Sequence, residues 1–346
     1  MKLKVKTDFD NAFISQWDAF VRAHPDGSVL QSHFCYQLFQ STLNFDPVLI
    51  YCLNEQDAIA GLLLGVVIRE EGRLKKSFSS RTVVYSGPLI MDGAGAKQEV
   101  FNLLLRRLVE EVKHRSIFIQ FRPSCDLSVF QPGFERLGFH HTPRLNLLVD
   151  TTDRERVKHE MSASRLRQIK QSIKNGAEII VPDKVSQIDE FYLLLSDLYR
   201  HKVKKPLPDR SFFRAFFEAT RDGNNGHIFL IRHQQRIIGG IMAPGFTGNT
   251  LFEWYVCGLD EEYRSRHIYP SVLATWAAID YAAGNNFYRF DFMGVGKPGV
   301  PYGVRDFKMR FGGTVVSYGR YIRINNKFLY TLAELGYNVL SLMKRV

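Results

Sequence analysis

Apolar and polar positions change period several times along the chain, and the changes come twice in the same order. In the first half, helix-like spacing predicts helices over Asn11–Ala23 and His33–Leu43, and the apolar run Ile59–Ile68, with Gly61 and Gly65 inside it, predicts a buried strand. A long helix over Lys97–Arg115 follows, then a strand over Ile117–Phe121, the segment Phe134-Glu-Arg-Leu-Gly-Phe139 and a strand over Leu145–Asp150. The second half offers helices near Ile188–Tyr199 and Ser211–Thr220 and a Gly-containing strand over Ile237–Phe246. It continues with a helix over Tyr269–Ala283, a strand over Tyr288–Phe292, Phe311-Gly312 and a strand over Val315–Ile324. Strands alternating with helices predict an α/β layer architecture with mixed sheets. The repeated order and spacing predict two tandem domains, 1–153 and 154–346.

One stretch breaks the regular pattern. The aromatic strand Phe287–Phe292 opens into a loop, Met293–Asp306, with four glycines and two prolines, too long for a plain connection. It leads into Phe307-Lys-Met-Arg-Phe-Gly-Gly313, which sets Lys308 between two phenylalanines. A lysine held in a partly desolvated aromatic pocket can stabilise an oxyanion or pair with a phosphate. The same spacing also suits a solvated lysine on a strand whose neighbours enter the core. Asp291 and Asp306 read either as site carboxylates or as strand-end and turn residues. Trp254-Tyr255 lines a ligand cleft or packs in the core.

Charge narrows the partners. A formal net charge of +11 predicts attraction to something anionic: nucleic acid, a phosphorylated metabolite or an anionic membrane face. The clearest cluster is a helix over Ser162–Gly176. Leu166, Ile169 and Ile173 fall on one face, Arg165, Arg167, Lys170 and Lys174 cover the rest, and no acidic residue occurs from Ser162 to Ala177. Arg200–Arg210 is a second basic segment; for either segment alone a solvated surface face is the first reading. The N-terminal residues lack an apolar leader core, no apolar run is long enough to span a bilayer, and four cysteines stand without paired spacing, which predicts a cytoplasmic, metal-free protein. There is no G-x-S-x-G elbow, P-loop or H-E-x-x-H helix. His140-His141 reads as a turn before Pro143, and Asp92-Gly-Ala-Gly-Ala as a turn rather than a phosphate cradle.

Phe290-Asp-Phe-Met-Gly294 with Tyr302-Gly-Val-Arg-Asp-Phe-Lys-Met-Arg-Phe-Gly-Gly313 resembles the C-terminal signature of the Fem peptidoglycan-bridge aminoacyltransferases, and so does Ser164–Gly176. The likeness runs over nearly the whole chain in motif order. It implies two tandem GNAT-type acyltransferase domains, in agreement with the doubling. It also implies transfer of an aminoacyl group from tRNA to an amine of a peptidoglycan precursor peptide. By the resemblance Lys308 is the catalytic lysine. Tyr255 lies in the segment lining the precursor pocket, and Trp254, Asp291, Phe307, Gly294, Arg165, Arg167 and Lys170 are the companion substrate-binding positions. No tightly bound cofactor is implied, only an acyl donor, aminoacyl-tRNA or acyl-CoA. Any base is weak or supplied by the substrate. Two departures stand out. There is room only for two ordinary helices between Ser186 and Phe229, so the long helical arm of many bridge enzymes is missing. The position of the GNAT pyrophosphate turn, Arg264-Ser-Arg-His-Ile-Tyr-Pro270, contains no glycine, which disfavours a close backbone approach to CoA.

Three functions compete. The first is acyl transfer to an amine of a phosphate-bearing envelope precursor, with tRNA as a further partner. The second is CoA-dependent acylation of an amino sugar in polysaccharide biosynthesis. The third is a non-catalytic basic protein that binds nucleic acid or the inner membrane face, supported by the basic helix and the amphipathic tail Phe328–Val346.

Overall fold

The computed structural model describes residues 3–70, 79–91 and 97–333; residues 92–96, read above as a turn, and the last 13 residues of the predicted tail lie outside them. The strands in chain order are β1 (Lys4–Lys6), β2 (Phe45–Leu53), β3 (Ile59–Ile68), β4 (Arg81–Tyr85), β5 (Leu89–Ile90), β6 (Phe118–Arg122), β7 (His140–Thr142) and β8 (Asn146–Asp150). They continue as β9 (Glu178–Ile180), β10 (Gly226–His233), β11 (Arg236–Pro244), β12 (Thr250–Phe252), β13 (Tyr255–Gly258), β14 (Arg289–Gly294), β15 (Thr314–Val316) and β16 (Arg320–Ile324). The chain forms two compact units, one of Met1–Pro143 with Tyr318–Val346, the other of Arg144–Ser317.

This division differs from the single cut at 153/154 expected from the repeat. β8, from the end of the first half, pairs with β14 and β15 in the second unit, while β16 pairs with β6 and β7 in the first. The strand expected over Val315–Ile324 is accordingly two strands, because its halves complete different sheets. Spacing along the chain reports that a segment is extended, but not which ladder receives it.

In the first unit the sheet order is β1-β2-β3-β4-β6-β16-β7, with β5 also on β3; β4 and β6 are parallel. Helix Lys97–Val112 lays Val100, Phe101, Leu104, Leu105 and Leu108 on this sheet, a 3.6-residue stripe matching the continuous apolar β3. Gly61 makes that approach possible: a Cβ there would lie 2.5 Å from Val100 Cγ1. The second unit repeats the device. Helix Pro270–Gly284 is buried along most of its length, and a Cβ on Gly239 of β11 would lie 3.0 Å from Pro270 Cβ and 2.8 Å from the Cys257 carbonyl oxygen. The glycines aligned by the repeat thus do the same job in both halves, letting a helix settle on a hairpin.

The second unit holds two four-stranded sheets, β13-β11-β10-β9 and β12-β14-β8-β15, with β12 and β14 parallel. Helices Val185–Leu198 and Arg210–Ala219, joined through a π-helical turn at Tyr199–Val203, fill the stretch where a long arm would sit. Arg210–Ala219 starts at Asp209, whose carboxylate accepts the Ser211 N–H at 2.6 Å, and buries Phe212, Phe213, Phe216 and Phe217. The expected loop after β14 ends sooner than its composition suggests. Gly303–Met309 is helical, begun by Tyr302, whose carbonyl accepts the Arg305 N–H at 2.8 Å.

Candidate functional site

The segment 250–258 serves both sheets of the second unit. Its first part, β12, runs beside β14, and its second part, β13, beside β11. The change of partner falls on two residues: the Glu253 N–H donates to the Asp291 carbonyl at 2.9 Å, and the Trp254 N–H to the Met242 carbonyl at 3.1 Å. Beyond this point the two ladders separate, leaving a fork at the end of β12.

β14 is irregular at the same level. Its register with β8 shifts between Asp291 and Gly294, and Met293 takes φ +57°, unusual for a side chain without a local hydrogen-bonding group. The bulge turns the Phe292 carbonyl toward Lys308, whose Nζ donates to it at 2.7 Å. The same Nζ lies 2.7 Å from Glu253 Oε1 and 5.5 Å from the centre of the Phe292 ring. Lys308 is 8% exposed and Glu253 5%. An ammonium has three donors; carboxylate and carbonyl occupy two, leaving the third for another acceptor. Glu253 Oε2 is buried without a hydrogen-bond partner.

Asp291, fully buried, sits one residue before the bulge. Burial pushes its carboxyl up to about 6, against the opposing pull of the Met293 N–H, Arg289 and Lys308. Its Oδ1 accepts that N–H at 2.6 Å, which holds the left-handed turn in place. Asp291 is therefore an internal brace of the fork as well as a titratable group, and exposed Asp306 belongs to the first turn of the short helix.

Arg165 corrects the expectation of an all-surface basic face. It is 4% exposed, with its guanidinium 4.3 Å from the Phe307 ring centre and 5.0 Å from that of Phe311. It donates to the Phe307 carbonyl at 3.0 Å and to Gln168 Oε1 at 2.6 Å. Burial first, and then the neighbouring charge of Arg310, lower its pKa to about 10. The helix Ala163–Lys174 buries Arg165, Ile169 and Ser172 and leaves Ile173 52% exposed. The expected stripe is thus rotated, because Arg165 finds two aromatic rings and a carbonyl that a hydrophobicity pattern does not register. Arg167, Lys170 and Lys174 do lie on the exposed face.

The structure gathers Lys308, Asp291, Phe307 and Arg165 into one connected cluster. Gly294 is exposed at the end of β14, opposite Asn146. Trp254 and Tyr255 form a separate aromatic group: their rings stack at 6.3 Å, and Phe212 and Phe213 meet them edge-on at 5.4 and 5.1 Å. Glu253 is the residue that sequence reasoning missed. The signal was present, a lone charge inside Leu251-Phe-Glu-Trp-Tyr-Val256, since a carboxylate in an apolar strand demands a partner.

The start of helix Pro270–Gly284 is largely occupied. Pro270 has no N–H, the Ser271 N–H donates to Asp260 Oδ1 at 3.1 Å, and the Tyr269 N–H donates to Ser172 Oγ at 2.9 Å. Among the described residues no group of three or more His, Cys, Asp or Glu is placed to hold a metal ion.

This arrangement has relatives. Residues 163–309 match the family model of the GNAT acetyltransferase domain. FemX superposes with a TM-score of 0.69 at 15% identity, covering 96% of this chain and 99% of that one. A tandem GNAT protein from the clavulanic acid biosynthesis pathway matches at 0.55 with 11% identity, over 94% and 99% of the two chains. A C-terminal domain assigned to a lysylphosphatidylglycerol synthetase from Agrobacterium fabrum matches at 0.56 with 13% identity, over 95% and 96%. No curated protein matches the sequence. The chain carries a GNAT acetyltransferase domain over residues 163–309. Its fold, two tandem GNAT-like units without a long helical arm, is Fem-like.

Proposed function

We propose that the protein is an N-acyltransferase that moves an aminoacyl group from an ester carrier, aminoacyl-tRNA, to an amine of a phosphate-bearing cell-envelope precursor peptide. The observation that carries this reading is the largely occupied start of helix Pro270–Gly284. A CoA pyrophosphate is held by free N–H groups at a helix start. Here proline removes one donor, and Asp260 brings a carboxylate where the pyrophosphate would bring like charge. An ester donor that needs no pyrophosphate cradle suits this site better.

In the reaction the amine attacks the ester carbonyl at the fork. The free N–H of Lys308 meets the oxygen that becomes negative, and the aromatic wall of Phe292 and Phe307 keeps water from competing. Arg167 and Lys170, exposed on the basic helix, supply charge for the precursor's phosphates, and the Trp254–Tyr255 group offers a stacking surface. Acyl-CoA acylation of an amino sugar is the second reading, favoured by the GNAT match and by Arg264 and Arg266, which stand exposed where side chains can reach a pyrophosphate.

Thermal denaturation separates the two. Stabilisation by a UDP-linked muropeptide and by a non-hydrolysable aminoacyl-tRNA analogue, with no shift from acetyl-CoA, is the expected result. A shift with acetyl-CoA alone sinks the first reading.

A further inference from the structure

The fork contains a carboxylate for which the acyl-transfer reading, with its substrate-supplied base, has no use. We infer that Glu253 is the protein's own base: its Oε2 receives the proton shed by the attacking amine and returns it to the departing oxygen or sulfur. This inference rests on acyl transfer at the fork, though not on which donor is used.

Three features of the structure lead there. Glu253 is 5% exposed, and Oε2 has no hydrogen-bond partner, whereas Oε1 is fully engaged by Lys308 at 2.7 Å. A buried carboxylate oxygen left open is costly unless something donates to it. Second, its position is not adjustable: the Glu253 N–H is tied to the Asp291 carbonyl at 2.9 Å and the next N–H to Met242 at 3.1 Å, so the carboxylate stands where the two ladders part. Third, Lys308 bridges Glu253 to the Phe292 carbonyl. The residue that polarises the acyl carbonyl and the residue with the open oxygen are therefore two ends of one ion pair. Asp291 is the other carboxyl nearby, and its Oδ2 is likewise buried without a hydrogen-bond partner, but its Oδ1 holds the Met293 N–H that stabilises the bulge, and the ion pair of Lys308 is with Glu253.

The step balances without a further reagent. As the C–N bond forms, the nitrogen becomes positive and its proton passes to Glu253 Oε2; the carbonyl oxygen becomes negative against the free N–H of Lys308. As the bond to the leaving atom breaks, the proton passes from Glu253 to that atom. Glu253 ends as a carboxylate, and Lys308 stays an ammonium throughout. Lys308 keeps the carboxylate oriented; the carboxylate in turn offsets the cost of a buried ammonium.

The test is Glu253→Gln in the full-length chain, with whichever acyl ester or thioester the wild type turns over. The amide keeps an oxygen for Lys308 but cannot take a proton. Two acceptors are compared, both attacking as the free base: a peptide amine, whose nitrogen holds its proton tightly after attack and needs a base, and hydroxylamine, whose far less basic nitrogen sheds it readily to water. Loss of turnover by about 100-fold or more with the peptide amine, a rate that climbs with pH where the wild type has levelled off, and a much smaller loss with hydroxylamine are expected. Equal losses with both acceptors, at unchanged pH dependence, overturn the proposal and leave Glu253 a structural partner of Lys308. Turnover of a thioester but no ester would reject the aminoacyl donor while leaving this test intact. If Glu253→Gln fails to fold, Glu253→Asp, which keeps the charge and withdraws Oε2, must show the same acceptor-dependent loss.

Discussion

Both units contain a fork marked by the same hydrogen-bond pattern, and they fill it with different side chains. In the first unit Tyr85 of β4 pairs with Arg122 of β6, and the next N–H, that of Ser86, donates to the Arg122 carbonyl at 3.0 Å. In the second, Phe252 of β12 pairs with Asp291 of β14, and the next N–H, that of Glu253, donates to the Asp291 carbonyl at 2.9 Å. Ser86 is thus the counterpart of Glu253. Its hydroxyl bonds to that of Ser124, both buried, and Leu127 packs against Gly87 just beyond. At the position of Glu253 that junction holds an uncharged hydroxyl paired with another, and the charge on its neighbouring strand, Arg122, lies over the Tyr85 ring at 5.5 Å. The second junction carries a carboxylate and an ammonium with an open oxygen and an open N–H. A repeated pattern supplies the junction twice, and on the proposed reading the side chains set in it separate the copy that does acyl chemistry from the one that does not.

The sharpest way to break this comparison is to remove the charge. Lys308→Ala is expected to lower turnover by about 100- to 1,000-fold and also to destabilise the fold by roughly 3–5 kcal/mol, because Glu253 is left charged and buried. Lys308→Met with Glu253→Gln together should recover most of the stability and none of the turnover. Chemical denaturation alongside initial rates distinguishes the two effects; full activity in Lys308→Ala would remove the site from the second unit.

Asp291 gives the next largest effect. Its carboxyl is raised from the ordinary range to about 6 by burial. A raised acid stabilises the fold fully below its unfolded value and loses that contribution as pH climbs through the folded one. Wild-type stability should therefore fall relative to Asp291→Asn between about pH 4 and pH 6, by roughly 2–3 kcal/mol. Urea midpoints that run parallel for the two proteins across that window would show that Asp291 does not titrate there.

The smallest effect belongs to the serine pair of the first fork. Ser86→Ala or Ser124→Ala should cost about 1 kcal/mol through the lost hydroxyl pair and leave turnover within about twofold, since neither residue faces reacting atoms. A large loss of turnover with intact stability would place chemistry in the first unit as well.

Much of the architecture was legible along the chain. Gly61 and Gly239, read as matching positions, each admit a crossing helix, and the long helix and following strand of each half fall within a few residues of expectation. Lys308 stood out because two phenylalanines and two glycines frame it. Pairing was harder to read. Val315–Ile324 has one continuous extended pattern yet divides between two sheets, and Arg165 looked like surface charge until Phe307 and Phe311 closed around it. Glu253 was passed over, since a single carboxylate in an aromatic strand has no period and its partner lies 55 positions away.

The sequence by itself determined the alternation of helices and strands, their doubling and the region of interest after β14, because period, glycine placement and aromatic framing act between near neighbours. Only the tertiary structure decided which ladder takes β8 and which takes β16, where the strands part, and that Lys308 meets Glu253 there. Those outcomes depend on hydrogen bonds and buried charges between distant segments, whose energies exist only once the segments have been brought together.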